Sequence, residues 1–571
     1  MRKTFIPWLS ALFVLALLLS GCSGNSDEPA ASGSDGSGSA SGPSGSASAS
    51  GEASKAANLD PVKISINSID PKFSPDNDVA QQIAKETGVT LDLQYVVGDL
   101  TQKLDLWLAG GDYPEIVVMH PKEVGKYIDA GAVIPLEDLI DQYGPNIKKA
   151  FGKYYNLLKA SDGHIYELPA PYLTEETPAD WEAPWAVQYD VLKEAGYPEI
   201  KTLDQLFDVL KAYYEKHPTI DGKPTIPWSG VGGADHPDWD LNNPAFQAAG
   251  RPDNSWFLID DQNNVTLNIL SDYQKRYYQF LNKLYLNDML DKEFFTMNYD
   301  EAEAKAAQGR TLAGSLPAWF LKYPEQSLRT QGKADRQFAN IELLFDENSP
   351  DHSNTMTPIN SNNNWHITKN AKDPARIIQY VNFLLSDEGQ KLINWGIEGK
   401  HYDVTNGKRV VNAEWKAKTE ADPEYIFKNG PSGPYYWFTY GDGAKLSDGD
   451  YATPNTKDYW ASTYDPTTKE LLAKYGKEVF SEFMPPVERV PAWIWQLAEP
   501  TEGRAEFKRV QQVFKKDAPK IVYSKTPEDF EKNWNSYVEE VKKAGSAKVE
   551  AAYDKLWKGY IAQYDQTMGL Q

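Results

Sequence analysis

Cysteine is nearly absent: Cys22 is the only one in 571 residues. No disulfide, cysteine nucleophile or cysteine-rich metal site is therefore available within the chain. Histidine is scarce too, with seven residues scattered singly. The sequence contains no G-x-S-x-G, H-E-x-x-H, Walker lysine motif or strand-linked G-x-G-x-x-G. Basic residues are outnumbered, 58 against 81 acidic ones, for a net charge of −23. With no basic stripe to release counterions from phosphates, nucleic acid and anionic membrane surfaces are disfavoured as ligands. Long apolar runs are missing except from about Ile6 to Leu19, which is shorter than the roughly 20 residues a spanning helix needs. No repeat of solenoid length is visible.

That run follows Arg2 and Lys3 and leads into Leu19-Ser20-Gly21-Cys22. Residues 1–21 thus read as a lipoprotein signal peptide with cleavage before Cys22. Acylation of Cys22 would hold the protein on the extracytoplasmic face of a cell membrane. Residues 22–58 are rich in Gly, Ser and Ala, a composition that buries no core and reads as a flexible tether. Beyond it the chain is globular in composition and long enough for more than one core.

The folded part opens with alternating Val62, Ile64 and Ile66, the period of a strand. A helix from Asp76 to about Thr87, a second alternation at Val89, Leu91, Leu93 and Tyr95, a helical face at Leu100, Leu104, Trp107 and Leu108, and a buried run Ile116–Met119 complete a β-α-β-α-β order. Such order builds a parallel sheet with helices on its faces, and ligands sit beyond the carboxyl ends of its strands. Asp70 and His120 fall there. Toward the end, Phe507, Val510 and Phe514, then Phe530, Trp534, Tyr537 and Val541, then Val549, Tyr553, Trp557 and Tyr560 recur at helical spacing and predict core-packing helices.

Tryptophan accumulates in the middle of the chain, out of 17 in total. Trp239 sits in Asp235-His236-Pro237-Asp238-Trp239-Asp240, Trp319 follows Gly314-Ser315-Leu316-Pro317-Ala318, and Trp365 follows Asn360-Ser361-Asn362-Asn363-Asn364. Large aromatics are most often core. Flat rings among Asn, Asp and Ser also suit a sugar, which offers C–H faces for stacking and hydroxyls that need donors and acceptors. The same DHPDWD cluster offers carboxylates and His236 as metal ligands.

The stretch Asp373–Tyr402, DPARIIQYVNFLLSDEGQKLINWGIEGKHY, begins as a helix with Asp373 capping and Pro374 at the first position. A helix ending in LLSDEGQ and followed by WGIEGKHY resembles the family 1 extracellular solute-binding proteins of bacterial carbohydrate ABC importers, in particular their large lipoprotein subfamily. LAGGDYPEIVVM resembles that family's first-lobe signature. The opening of its second lobe is similar to the segment in which Asp190, Leu192, Thr202 and Asp204 fit.

The resemblance implies an α/β, two-lobe, type II periplasmic-binding-protein fold with a ligand cleft between the lobes and an extended helical C-terminal region. It assigns residues 59–170 to the first lobe, 171–359 to the second, 360–402 to a return to the first, and 403–571 to the rest of the second and the C-terminal helices. Leu168-Pro169-Ala170-Pro171-Tyr172 would be the first passage between lobes. It also implies a monomer that is not an enzyme, binding an oligosaccharide and delivering it to ABC permease subunits. Where family members carry a calcium loop, this chain keeps only Asp221-Gly222-Lys223 before Ile226-Pro227, too few oxygen ligands to support calcium.

Ligand-binding candidates are therefore Asp70 and His120 on the first lobe, Tyr172 at the crossing, Trp181 and Trp185 on the second, then Trp239, Trp319, Asn364, Trp365, Glu398 and Trp437. The rings would stack, while Asp70, Asn364 and Glu398 would hold hydroxyls. A secreted polysaccharide hydrolase or lyase is the alternative from another class, since a glycosidase needs two carboxylates across the scissile bond and acids are abundant here. A peptide receptor of the same fold is the other.

Overall fold

Alternation at the start of the globular region produces the first strand, β1 (Val62–Ser68), in a computed structural model that describes residues 60–570 apart from 69, 71, 175, 176, 180 and 423. The lipoprotein signal and the tether lie outside the described residues. β1 runs parallel to β2 (Val89–Tyr95) over seven residue pairs and to β3 (Ile116–Met119) at Ile66 and Ile116. Helix Asp78–Thr87 makes the first crossover. Asn77 caps it by accepting the Ala80 N–H at 2.7 Å, and Gly88 ends it at φ 70°.

Two further strands complete this sheet. They are β4 (Leu168–Pro171) and, after a long excursion, a strand at Ile359–Ile367 that runs antiparallel between β3 and β4. β4 carries two prolines and lies at the sheet's edge, where a missing ladder N–H is tolerated.

The excursion builds a second sheet. β5 (Trp185–Gln188) lies antiparallel between β7 (Thr311–Ser315) and β8 (Phe338–Ile341), and β6 (Ile226–Ser229) pairs in parallel with β7 on the other side. Every residue of these four strands is buried. The late strand Ile359–Ile367, β9, then returns the chain to the first sheet. The fold is thus two α/β lobes.

Each lobe has its own core, one around Trp365, Tyr380 and Phe438 and the other around Trp185, Trp228 and Tyr277. The C-terminal helices Arg504–Val522, Pro527–Ala544 and Ser546–Met568 pack on the second. Trp256 receives Phe514 edge-on at 4.8 Å, and Phe257 stacks on Tyr553 at 3.9 Å, so the aromatic stripes are core. Among the described residues, no helix is long and apolar enough to cross a membrane.

One local device places the cleft side of the second lobe. β6 ends at Ser229 and runs into Gly230-Val231-Gly232-Gly233, and the short helix Pro237–Leu241 follows. The carboxylate of Asp240, 1% exposed, turns back to accept the N–H groups of Val231 at 2.8 Å and Gly232 at 3.1 Å. A Cβ on Gly230 would lie 2.4 Å from that carboxylate, and one on Gly233 would lie 2.7 Å from the Phe294 carbonyl oxygen. Gly232 has φ 125°, and its Cβ would meet the Tyr299 nitrogen at 2.7 Å. Only glycine fits this turn.

Burial pushes the Asp240 carboxyl up to about 7, although the two N–H donors pull it down. The folded chain therefore takes up a proton between the ordinary carboxylate range and pH 7 that the unfolded chain does not. That contribution to stability is present at low pH and is lost as pH rises through about 7. The melting temperature is expected to fall between pH 5 and pH 8, with Glu167 and Glu325, also raised to about 7 by burial, adding to the fall; a flat or rising profile would show these carboxyls ionised in the fold throughout. Gly232→Ala, strained and overpacked together, is expected to cost at least about 1–3 kcal/mol, read as a lowered denaturant midpoint. A midpoint equal to that of the parent protein would mean the loop yields.

Candidate functional site

The carboxyl ends of the strands in both sheets bring chemistry-bearing side chains together. On the first lobe, Asp70 follows β1, and its carboxylate accepts the Lys72 N–H at 2.9 Å. His120 follows β3 and caps helix Pro121–Asp129, its Nδ1 accepting the Lys122 N–H at 3.4 Å. Burial holds the His120 imidazole down to about 4, and Lys122 adds to this, so it is neutral at physiological pH.

On the second lobe, the glycine loop after β6 presents His236 and Trp239, whose rings stack 3.8 Å apart. Beyond β7, Pro317 precedes helix Ala318–Thr330 and Trp319 stands in its first turn. Trp319 is 54% exposed, meets Trp239 edge-on at 5.4 Å and lies parallel to Tyr299 at 6.3 Å. Trp239 and Trp319 therefore form one aromatic wall, reached from two strand ends as topology requires.

The lobes face one another through defined contacts. Lys72 donates to the Tyr323 hydroxyl at 3.1 Å and lies 4.2 Å over its ring. Lys122 of the first lobe adds to the lowering of the His236 imidazole, which burial mainly causes and which Asp238 and Asp235 oppose. The His120 ring lies 5.8 Å from Trp495, which stacks on Trp493 at 5.3 Å and donates its Nε1–H to the Asp253 carbonyl at 3.1 Å. At the crossing, Tyr172 and Trp181 stack at 6.4 Å, and the Tyr172 ring fits against Gly441, where a Cβ would lie 2.7 Å from it. Trp437 is 38% exposed in the turn Pro434–Phe438, which packs on β4.

Four candidates are placed elsewhere. Trp185 is fully buried because β5 is flanked by strands on both edges and covered on both faces, with Trp228 at 6.0 Å. Trp365 is equally buried, since β9 inserts between β3 and β4 and turns the ring into the first lobe's core against Tyr380 and Phe438. Asn364, on the other face of the same strand, is buried and donates to Glu167 at 2.8 Å. Glu398 is exposed in a turn organised by His401, which accepts the Ile397 N–H at 2.8 Å and donates to the Asn429 carbonyl at 2.8 Å. That turn has a structural role and does not bring Glu398 to the aromatic wall.

Residues that the sequence reading passed over include Lys72, Lys122, Tyr299, Tyr323, Trp493 and Trp495. The tryptophan pair lies at a short 3-10 turn, Ile494–Gln496, with Trp493 just before it, and no strand or helix periodicity in the sequence marks it. Trp493 also lines a separate pocket of about 750 Å³ with Tyr273, Phe345 and Trp557. The DHPDWD carboxylates have local partners. Asp235 accepts the Tyr299 N–H at 3.1 Å and Asp240 closes the glycine loop. Among the described residues, no group of three or more His, Cys, Asp or Glu is arranged to hold a metal ion.

Three comparisons agree with this architecture. Over 251 residues the chain is 30% identical to the fructooligosaccharide ABC transporter substrate-binding protein FusA of Streptococcus pneumoniae, an alignment covering 42% of this chain and 46% of that protein. It is 23% identical over 425 residues to lipoprotein LipO of Bacillus subtilis, covering 71% and 75% of the two chains. The solved structure of alginate-binding protein AlgQ2 without calcium superposes with a TM-score of 0.61 at 20% identity, over 88% of this chain and all of that one, a likeness of fold. Residues 69–391 match the family model described as bacterial extracellular solute-binding protein. With more than half of the sequence inside that match, the chain belongs to the bacterial extracellular solute-binding protein family.

Proposed function

We propose that this chain is a lipid-anchored receptor that captures an oligosaccharide on the extracytoplasmic side of the membrane and delivers it to the permease of an ABC transporter. The observation that carries the reading is the aromatic wall of Trp239 and Trp319 beyond the second lobe's strand ends, together with the His120–Trp495 ring contact beyond β3 of the first. Parallel and edge-on rings beside Asp and His side chains match a solute with apolar faces and a polar rim. The name of the relative FusA supports an oligosaccharide, and that of LipO supports the anchor at Cys22.

A solute touching both walls stabilises the closed arrangement over the open one by the difference in its affinity for the two. Micromolar affinity, about −8 kcal/mol, still permits release. No bond needs to break for this cycle, and the reading assigns no catalytic residue. Calcium is not required either. The hairpin at Asp221 supplies one carboxylate, already paired with Lys333 at 3.0 Å, and so does not fit the ion.

Titration of the chain from Asn58 onward with a panel of plant and bacterial oligosaccharides is expected to give saturable tryptophan quenching and a raised melting temperature, with the sugar recovered intact. Shortened sugar would make the protein a hydrolase or lyase, and silence across the panel would direct attention to peptides. Trp319→Ala, at an exposed position, is expected to weaken binding about ten- to a hundred-fold, about 1.4–2.8 kcal/mol, while the melting temperature of the free protein holds. Unchanged affinity would remove Trp319 from the site. Chelation of divalent ions is expected to leave both readouts unaltered; a fall in melting temperature would establish a metal after all.

A further inference from the structure

Charges that meet across the cleft are unequal. The first lobe contributes Lys122 and Asp99 to the surroundings of His236, and the second contributes Asp238 and Asp235. Asp238, half-buried, is raised by burial and opposed by His236 and Lys122. Asp253, whose backbone holds the Trp495 indole, has its carboxyl pushed up to about 6 by burial, with Asp238 adding to the shift and the Ser255 N–H opposing it.

Lys72 is surrounded in the same way. It lies 3.7 Å from Glu424, and Asp70 and Glu303 are close enough to interact with its charge. Lys122 thus acts on Asp238, while Asp99 and Asp235 lie about the same His236 imidazole, and Lys72 faces Asp70, Glu303 and Glu424. Burial holds His120 and His236 below the ordinary range, so neither adds positive charge at neutral pH. Among the described residues, the arginines that lie on aromatic rings are Arg276 over Phe345 and Arg409 over Trp395, away from this wall. Neither the Trp239 nor the Trp319 ring carries an arginine among the described residues, the side chain whose fork receives a carboxylate.

We infer that, if the receptor reading holds, the cleft selects neutral oligosaccharides and rejects uronates. Carboxylates are acceptors only, and each takes the O–H groups of a sugar diol while the rings cover the C–H faces. A uronate residue stacked on the same wall would bring its own carboxylate among these acids, where like charges cost affinity. Rejection is therefore electrostatic, and salt weakens it.

The test compares the purified protein's affinity for neutral tetrasaccharides (nystose, maltotetraose and xylotetraose) with its affinity for tetragalacturonate and tetramannuronate, at 20 mM and 500 mM NaCl. The expected result is saturable binding of at least one neutral sugar, with both uronates at least a hundred-fold weaker and the gap narrower at high salt. Asp99 caps helix Leu100–Gly110 by accepting the Gln102 N–H at 2.7 Å; Asp99→Asn retains that cap and is expected to narrow the gap at low salt several-fold. Uronate affinity equal to or above that for the neutral sugars would overturn the inference and leave the receptor reading standing. A gap unmoved by both salt and Asp99→Asn would overturn its electrostatic origin. Silence toward both classes would sink the oligosaccharide reading and this inference with it.

Discussion

A single buried carboxylate organises the cleft side of the second lobe. Asp240 accepts two backbone N–H groups from the glycine loop that leaves β6, and in doing so fixes the start of the helix bearing Trp239. The same loop lies against the backbone of Phe294 and Tyr299, so the partner ring of Trp319 is positioned by it as well. Without those two bonds, Val231 and Gly232 would leave buried donors unpaired, and the stack of His236 on Trp239 would lose its base. The arrangement keeps an acid in a site that opposes its ionisation, a cost offset by rigid placement of two aromatic side chains.

Much of the architecture was legible because periodicity reports burial. The alternating runs became β1 and β2, and the helical stripes near the carboxyl terminus became helices packed on the second lobe. Composition around a tryptophan was a poorer guide. Four Asn and one Ser before Trp365 suggested a polar surface, yet Trp365 lies on a strand hemmed in on both sides, and the Asn364 amide beside it donates inward to Glu167. Trp185 lies in a central strand buried on both faces, which shows no alternation to read. The Lys72 contact was beyond reach for another reason. Tyr323 is 251 residues away, and nothing local marks either partner.

The crossings between the lobes are tied to one another. Thr355–Met356, just before β9 re-enters the first lobe, pairs in parallel with Glu488–Arg489, and Arg489 donates to the carbonyl of Thr174 near the first crossing. The Tyr172–Trp181 stack sits on that crossing. Strands tied in this way bend at their ends more readily than they slide, which is hinge behaviour. The Lys72–Tyr323 bond joins the two lobes, so a change in their separation makes or breaks it.

The closeness of the glycine loop also limits how this receptor can change over evolutionary time. A loop with no room for a Cβ at three of four positions accepts neither substitution nor growth without displacing Asp240 and the wall behind it. On the proposed reading, new ligand preferences then arise by exchanging side chains next to the loop, such as position 236, or on the helix after β7, such as position 319, while the turn itself stays fixed. Descendants of such a protein would diversify in what the cleft recognises and remain uniform in how the second lobe is built.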